Sequence, residues 1–503
     1  MNKVKFVPAI GEQLNSVYKR GLNYKGFDMK FFTKKSHFEH DIALQSCYYG
    51  LEGVGKNCDL EDNNFRKLIG FDKNKTLVGD SVYGKETIII KKKNEKQFLN
   101  IMIKDFVDEF LNKNKKISKT GHEFLNINDY EILTIDDNFK IAWAKINQVI
   151  RHKVSKQSVE LECIGGKKIR ITPDHSLIKF KNINKLESIK GCDVKKGDYI
   201  ISYDKMKLLN EKDYKHFDFE LLYYNKKLKF KLDITELELK IMGYMIGDGH
   251  IFLKPYVLGI SGMKDKGIHK LWNTFAKKYD CNVGYKANKH DATIASKKLS
   301  YAFSKLGLGG YSNTKKIPDW ILNLSKEKLG YFLNGYFSAD GSIKINKNNN
   351  YISMIGVSSV SYKLINDTKL ALDKLGIKYN NGHEKEKLVV INDKEYIGKE
   401  SWNIIIYDTQ SIKLFKKYIG FTNIKKKNRL NSGIISNKTK LHHGNLPCKI
   451  VNDFCKYGNQ EFITKSRINH KISESDIGCY RIKNIRYGKF KNEYVYDLSV
   501  DKN

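Results

Sequence analysis

The sequence predicts a multi-domain protein in which an all-β domain is interrupted by an α+β block written twice. Three observations predict it. From Ser81 onward, short β-branched segments alternate with turn residues, the texture of an all-β domain. Further on, "GYMIGDGHIF" (243–252) recurs as "GYFSADGSIK" (335–344), so that Gly243, Tyr244, Asp248 and Gly249 return as Gly335, Tyr336, Asp340 and Gly341. Strand texture then resumes at the end of the chain, as if the doubled block had been placed inside one β domain.

Taken in order, residues 1–80 carry no readable motif. Strands are expected at "ETIIIKK" (86–92), "YEILTIDD" (130–137), "KINQVIRHKV" (145–154), "SVELECIG" (158–165), "KKIRITPDHSLIKFK" (167–181) and "GDYIISY" (197–203). The stretch "FLNIMIKDFVDEFL" (98–111) reads as the one helix among them. A capping box at Thr235 and Glu238 opens a helix through "ITELELKIMGYMIGDG" (234–249). Ser325 is placed to cap its repeat, "SKEKLGYFLNGYFSADG" (325–341). Each repeat leads into strand-like residues and then a helix, at 266–279 and 361–377. Residues 431–475 are polar and basic, with a helix expected at 447–458. Strands return at 479–488 and 492–500.

At 503 residues the chain has room for roughly three domains. Its 91 Lys and Arg against 56 Asp and Glu leave a formal net charge of +35, spread along the whole length. A field of that sign attracts polyanions, nucleic acid foremost. The same richness in Lys, Asn, Ile and Tyr is what AT-rich coding produces, so the charge counts only beside the motifs. The eight cysteines (Cys47, Cys58, Cys163, Cys192, Cys281, Cys448, Cys455, Cys479) form no CxxC pair. Neither a zinc site nor a disulfide framework is expected. With no signal-peptide h-region and no long apolar run, the expectation is an intracellular protein outside the membrane.

The repeated stretch poses a chemical question. Two glycines inside a helix cost about 1 kcal/mol each relative to Ala, a cost that makes sense where another backbone must come close. Two such helices packed face to face would bring Asp248 and Asp340 together at their C-terminal ends. Neighbouring carboxylates repel unless they share a cation, and Mg²⁺ takes oxygen ligands, phosphate among them. Metal-assisted phosphodiester hydrolysis follows on a basic protein. The plainer alternative is two ordinary helix ends followed by Gly.

Both stretches resemble the LAGLIDADG motif of homing endonucleases. Between them "NTKKIPDWIL" (313–322) is similar to that family's lysine-bearing block, and "GVSSVSYKLINDTKLALDKLGI" (356–377) to a later one. The resemblance covers about 200 residues. It implies a pseudo-two-fold αββαββα core whose sheets lie along double-stranded DNA, with Asp248 and Asp340 as Mg²⁺ ligands and Lys316, or else Lys315, as the catalytic lysine. The second copy departs from the first in carrying Ser338 and Ala339 opposite Ile246 and Gly247.

The flanks resemble a second family. "SVYGKETIII" (81–90), the Thr-x-x-His of "ITPDHSL" (171–177) and the closing "YVYDLSV" (494–500) are similar, in that order, to the blocks of an intein and its all-β Hint splicing domain. "EILTIDDNFKIAWAKINQVIRHKV" (131–154) resembles the stretch preceding Thr-x-x-His in inteins of DNA polymerases. The resemblance implies Ser81 as the nucleophile on the Asp80–Ser81 bond, His175 as proton donor to the leaving nitrogen, Thr172 as holder of the scissile peptide, and Asp497 as a support for both ends of the reaction. Cys47 and Cys58 are alternative starting residues, but the strand pattern follows neither. Inteins usually continue with a His-Asn-containing segment. The expectation is therefore a C-terminally incomplete element, with a missing C-terminal segment as partner and only the N-terminal half of splicing open to it.

The expected organisation is a host segment (1–80), a splicing domain in two parts (81–231 and 476–503), a nuclease block (232–430) and a basic linker or accessory DNA-binding region (431–475). The expected DNA partner is the host allele without the insert, bound by a monomer. Two other readings remain: a free-standing endonuclease whose β flanks only bind DNA, and a non-catalytic DNA-binding regulator built on the same fold.

Overall fold

The computed structural model describes residues 81–118, 121–136, 140–154, 157–182, 185–203, 211–223, 226–287, 289–346, 348–391, 394–435 and 476–501. The expected host segment and the helix at 447–458 lie outside the described residues.

The largest element is a 14-stranded sheet, and its strand order explains the interruption seen in the sequence. Strand Ile477–Lys489 lies between Tyr199–Tyr203 and Gln157–Cys163, antiparallel to both. Strand Glu493–Val500 lies between Val82–Tyr83 and Ile141–Val154. The last strands of the chain are therefore interior strands of a sheet begun near residue 81, and the described strands between 211 and 435 belong to other sheets. Separate apolar clusters fill it, one around Ile90, Phe106, Val149 and Tyr496, another around Val159, Ile171 and Ile482.

Two expected elements differ from what the structure contains. Residues 98–111 are not one helix: Phe98–Met102 is a strand paired with Thr87–Lys92, and the helix is Ile103–Leu111. The tertiary partner decides it, because this stretch pairs in a hairpin and buries Phe98 completely. Residues 167–181 are not one strand but two, Lys168–Ile171 and Ser176–Asn182. They are broken by a turn in which His175 N donates to Thr172 O at 3.1 Å, as Pro173 between them requires.

The interrupting block contains one unit twice. Helix Glu236–Asp248 is followed by a four-stranded antiparallel sheet, and so is helix Lys326–Ala339. In each sheet the chain-order strands run first, second, fourth, third, with a helix between second and third (Lys266–Lys278; Tyr362–Lys374) and another after the fourth (Lys297–Lys305; Thr409–Tyr418). The caps are those the sequence indicates. Glu238 Oε2 accepts from Thr235 N at 3.1 Å, and Ser325 Oγ accepts from Lys328 N at 3.5 Å. The hairpin His216–Tyr223/Lys226–Asp233 forms its own two-stranded sheet and packs Leu232, Phe217, Phe219 and Phe230 on this block's core. The expected boundary at 231 thus falls within a strand, and the one at 430 within helix Ile424–Ser432.

Among the described residues no helix is long and apolar enough to cross a membrane. Cys163, Cys192, Cys281 and Cys479 are free thiols.

Candidate functional sites

Two sites take shape, one at the junction of the paired helices and one where three strand ends of the large sheet meet.

The two motif helices cross at backbone contact. A Cβ on Gly243 would lie 1.8 Å from Phe332 O, one on Gly335 2.0 Å from Lys240 O, and one on Gly247 2.5 Å from Ala339 Cβ. No side chain fits at these points, which accounts for glycines in the interior of otherwise well-formed helices. Both helices are buried nearly all round, so their orphaned C-terminal carbonyls need partners.

Two lysines supply them. Lys315 Nζ donates to Gly247 O at 2.7 Å, Gly249 O at 3.2 Å and Met245 O at 3.5 Å. Lys426 Nζ does the same on the other helix, to Ser338 O at 2.7 Å, Ala339 O at 2.8 Å and Phe337 O at 3.3 Å. A cation at a helix C-terminus is favoured by the macrodipole as well as by the hydrogen bonds. Asp248 and Asp340 end the two helices beside these ammonium groups, with exposed side chains. The surrounding protein and the charge of Asp248 push the Asp340 carboxyl up to about 7, against the pull of Lys315 and Lys426. Burial lowers the pKa of both lysines, and the two carboxylates oppose that shift.

Lys316, the first choice of the sequence reading, is exposed, and the structure puts Lys315 at the helix junction in its place. The sequence reading missed Lys426 altogether. A signal existed for the segment but not for the residue: "SNTKK" (312–316) is echoed by "TNIKK" (422–426), each after its unit's last helix, and the echo sets Lys425 opposite Lys315.

At the second site the register sets the geometry. Val82 pairs with Tyr496 on one side and Ile171 on the other, both antiparallel. One step further along, Ser81 is abreast of Asp497 and Thr172. Ser81 is fully buried, and its hydroxyl has no hydrogen-bond partner among the described residues. Thr172 Oγ1 lies 3.3 Å from Ser81 N, from which it accepts, and 3.3 Å from Ser81 O, to which it donates. Thr172 N donates to the same carbonyl at 3.0 Å. His175 follows in the turn, its own carbonyl held by Gly191 N at 2.8 Å. Asp497 Oδ1 accepts from Leu498 N at 2.7 Å. Thr172, 91 residues on in sequence, thus holds the Ser81 backbone, and Asp497 lies abreast on the neighbouring strand.

Comparison with known proteins bears on the family. The chain is 29% identical over 338 residues to the DNA-directed RNA polymerase subunit Rpo1C of Methanocaldococcus jannaschii, covering 62% of this chain and 38% of that protein. It is 25% identical over 387 residues to a DNA polymerase of Thermococcus hydrothermalis, covering 73% and 21%. The chain spans well under half the length of these relatives. Among solved structures, mesophilic variants of the homing endonuclease I-DmoI are similar at 15% identity and a TM-score of 0.26, covering 37% of this chain and 90% of that one. The family described as the intein splicing domain matches residues 86–503. That span takes in the Thr172 turn and both returning strands of the split sheet, and it places this chain in the intein splicing family.

Proposed function

We propose that the chain is an intein element carrying a LAGLIDADG homing endonuclease that cuts double-stranded DNA site-specifically with Mg²⁺. The observation that carries the nuclease reading is the glycine-mediated crossing of the two motif helices, which ends both in an aspartate beside a lysine. A structural pair of helix ends has no need of two like charges at its tip. A phosphodiester-cleaving centre does.

The residues present fit Mg²⁺. Asp248 and Asp340 offer hard carboxylate oxygens, and burial first, with the Asp248 charge second, raises the proton affinity of Asp340. Among the described residues no group of three or more His, Cys, Asp or Glu gathers for a metal. One or two carboxylates completed by phosphate and water is the usual Mg²⁺ arrangement. Bound there, Mg²⁺ supplies Lewis-acid stabilisation of charge developing on a phosphate oxygen. The chain's own contribution is to fix both carboxylates on one rigid element and to set Lys315 and Lys426 beside them as cations that a DNA phosphate meets. One chain carries both halves, so a monomer suffices.

In the splicing half, Ser81 is the nucleophile that converts the Asp80–Ser81 amide to an ester. Thr172 accepts a hydrogen bond from the nitrogen that leaves, His175 gives that nitrogen its proton, and Asp497 lies abreast of Ser81 on the neighbouring strand. With the 216–233 hairpin and the whole of helix Ile424–Ser432 given to the nuclease, the domain assignments become a splicing domain in 81–215 and 476–503 and a nuclease block in 216–432.

The test of the nuclease reading uses a plasmid bearing the host-gene junction without the element. Asp248→Asn and Asp340→Asn should each abolish Mg²⁺-dependent double-strand cutting and leave DNA affinity within about threefold, since neither makes a favourable phosphate contact. Wild-type cutting rates in both variants would remove these carboxylates from the reaction.

A further inference from the structure

Strand Phe98–Met102 ends the path of the 14-stranded sheet and pairs with Thr87–Lys92 on one side. Its other side would expose unpaired backbone groups, the usual liability of an edge strand. Side chains of the nuclease block occupy that side. Asn323 Oδ1 accepts from Phe98 N at 3.0 Å while Asn323 Nδ2 donates to Phe98 O at 2.8 Å, imitating a neighbouring strand. Asp319 Oδ1 accepts from Asn100 N at 3.3 Å. Phe98 itself belongs to the nuclease block's apolar core.

One contact in this seam reaches further. Asn100 Nδ2 donates to Asp367 Oδ1 at 2.9 Å. Asp367 is fully buried and pairs with Lys363. Its other oxygen accepts from Ile317 N at 3.1 Å. Ile317 lies two residues from Lys315, whose carbonyl is held by Ser361 Oγ at 2.6 Å. Asn100 and Asp367 are 5% and 0% exposed, so water cannot replace a lost partner there. Removing the Asn100 amide leaves a buried carboxylate one donor short. It relaxes toward Lys363 and takes the Ile317 backbone with it, and Lys315 Nζ has only a few tenths of an ångström of tolerance in its bond to Gly247 O.

We propose that Asn100, a residue of the splicing sheet, is a positioning residue for the nuclease centre, acting through Asp367 and the Ile317 backbone on Lys315. The proposal rests on the nuclease reading above and adds to it a dependence: the nuclease centre is set only when the edge of the splicing sheet is in place.

The test uses the full chain with Asn100→Leu, Asn100→Ser and the double exchange Asn100→Asp with Asp367→Asn. Three quantities are read: single-turnover cutting of the junction plasmid with Mg²⁺, DNA affinity at the same salt, and hydrogen exchange at the Ile317 amide. Loss of one hydrogen bond to a buried charge should slow cutting about tenfold and speed Ile317 exchange about tenfold, with affinity within about twofold. In the double exchange the amide now at position 367 donates to the carboxylate now at position 100 and its carbonyl accepts from Ile317 N, while Lys363 Nζ, which shared the replaced oxygen, must turn to that new carboxylate. Cutting should therefore exceed that of Asn100→Leu and of Asn100→Ser. Wild-type cutting in both Asn100→Leu and Asn100→Ser overturns the proposal and leaves the nuclease reading standing, as does affinity falling in step with rate. A wild-type protein that binds the junction and never cuts it overturns the nuclease reading and this proposal together.

Discussion

At the residue scale the two lysines at the helix ends separate a structural account from a catalytic one. Each holds helix-end carbonyls that a methionine cannot, so Lys315→Met and Lys426→Met should slow double-strand cutting at least tenfold, while Lys316→Met, at an exposed site, should leave it unchanged. Cutting assays of the three variants decide it, and a slow Lys316→Met protein beside a normal Lys315→Met would reverse the assignment. The sequence narrows the lysine to two neighbours but not to one, because which of them turns inward depends on the backbone path between Tyr311 and Ile317. Ser81 is the opposite case. Block order proposes it, and the structure adds what order does not contain, the Thr172 hydroxyl on its nitrogen. Added hydroxylamine should release an N-terminal fragment of about 80 residues, by attack on the ester. Ser81→Ala should prevent release and Thr172→Val should slow it, as mass spectrometry of the fragment will show. A Ser81→Ala chain that still yields the fragment contradicts the nucleophile assignment.

At the element scale the helix crossing sets two opposing terms against each other. Gly335→Ala gains about 1 kcal/mol in helix propensity. It also drives a methyl to 2.0 Å from Lys240 O, and backbone cannot yield as a side chain can. Overpacking of that kind costs about 3 kcal/mol, so the overlap wins. The variant should unfold at lower denaturant concentration, by about 2 kcal/mol net, and a variant of unchanged stability would show that the helices are not in contact here. This element was legible because its signal is local: a repeated small-residue pattern with caps three residues apart. The error at 98–111 has the opposite origin. Phe98 and Asn100 pair with Thr87–Lys92 on one side, and on the other they are held by Asn323, Asp319 and Asp367, more than 200 residues away, which no window of sequence contains.

At the scale of the whole molecule the sheet and the doubled block meet around a cavity of about 660 Å³, lined by Glu86, Arg170 and Lys168 from one and Lys369, Tyr362 and Trp402 from the other. Burial pushes Glu86 up to about 7, opposed by the hydrogen bond from Arg170 N and by Lys168 and Lys369, with Glu160 adding to the rise. A carboxyl whose folded pKa is raised holds its proton more tightly folded than unfolded. Its contribution to stability is greatest below about 4.5 and is lost as pH rises through 7. Glu86→Gln keeps an oxygen for Arg170 N, so it should raise Tm at pH 8 and leave it unchanged near pH 4. Equal effects at both pH values would mean that Glu86 does not change charge there. The net charge of +35 predicts a second global property: affinity for DNA should fall steeply between low and physiological salt as counterions are released. A flat salt titration would contradict binding through phosphates.

The weaving of the last strand into the middle of the sheet also sets a clock. Asp497 leaves the ribosome about 400 residues after Ser81, which at ordinary synthesis rates is roughly 20–80 s. Through that interval the segment Val82–Tyr83 has no neighbour on its Tyr496 side, and the site around the Ser81 nitrogen is unfinished. Ser81 is made early, and the strand that lies beside it is made late. On the proposed mechanism, chain topology alone would postpone rearrangement at Ser81 until the interrupting block has been translated, with no inhibitor and no signal required.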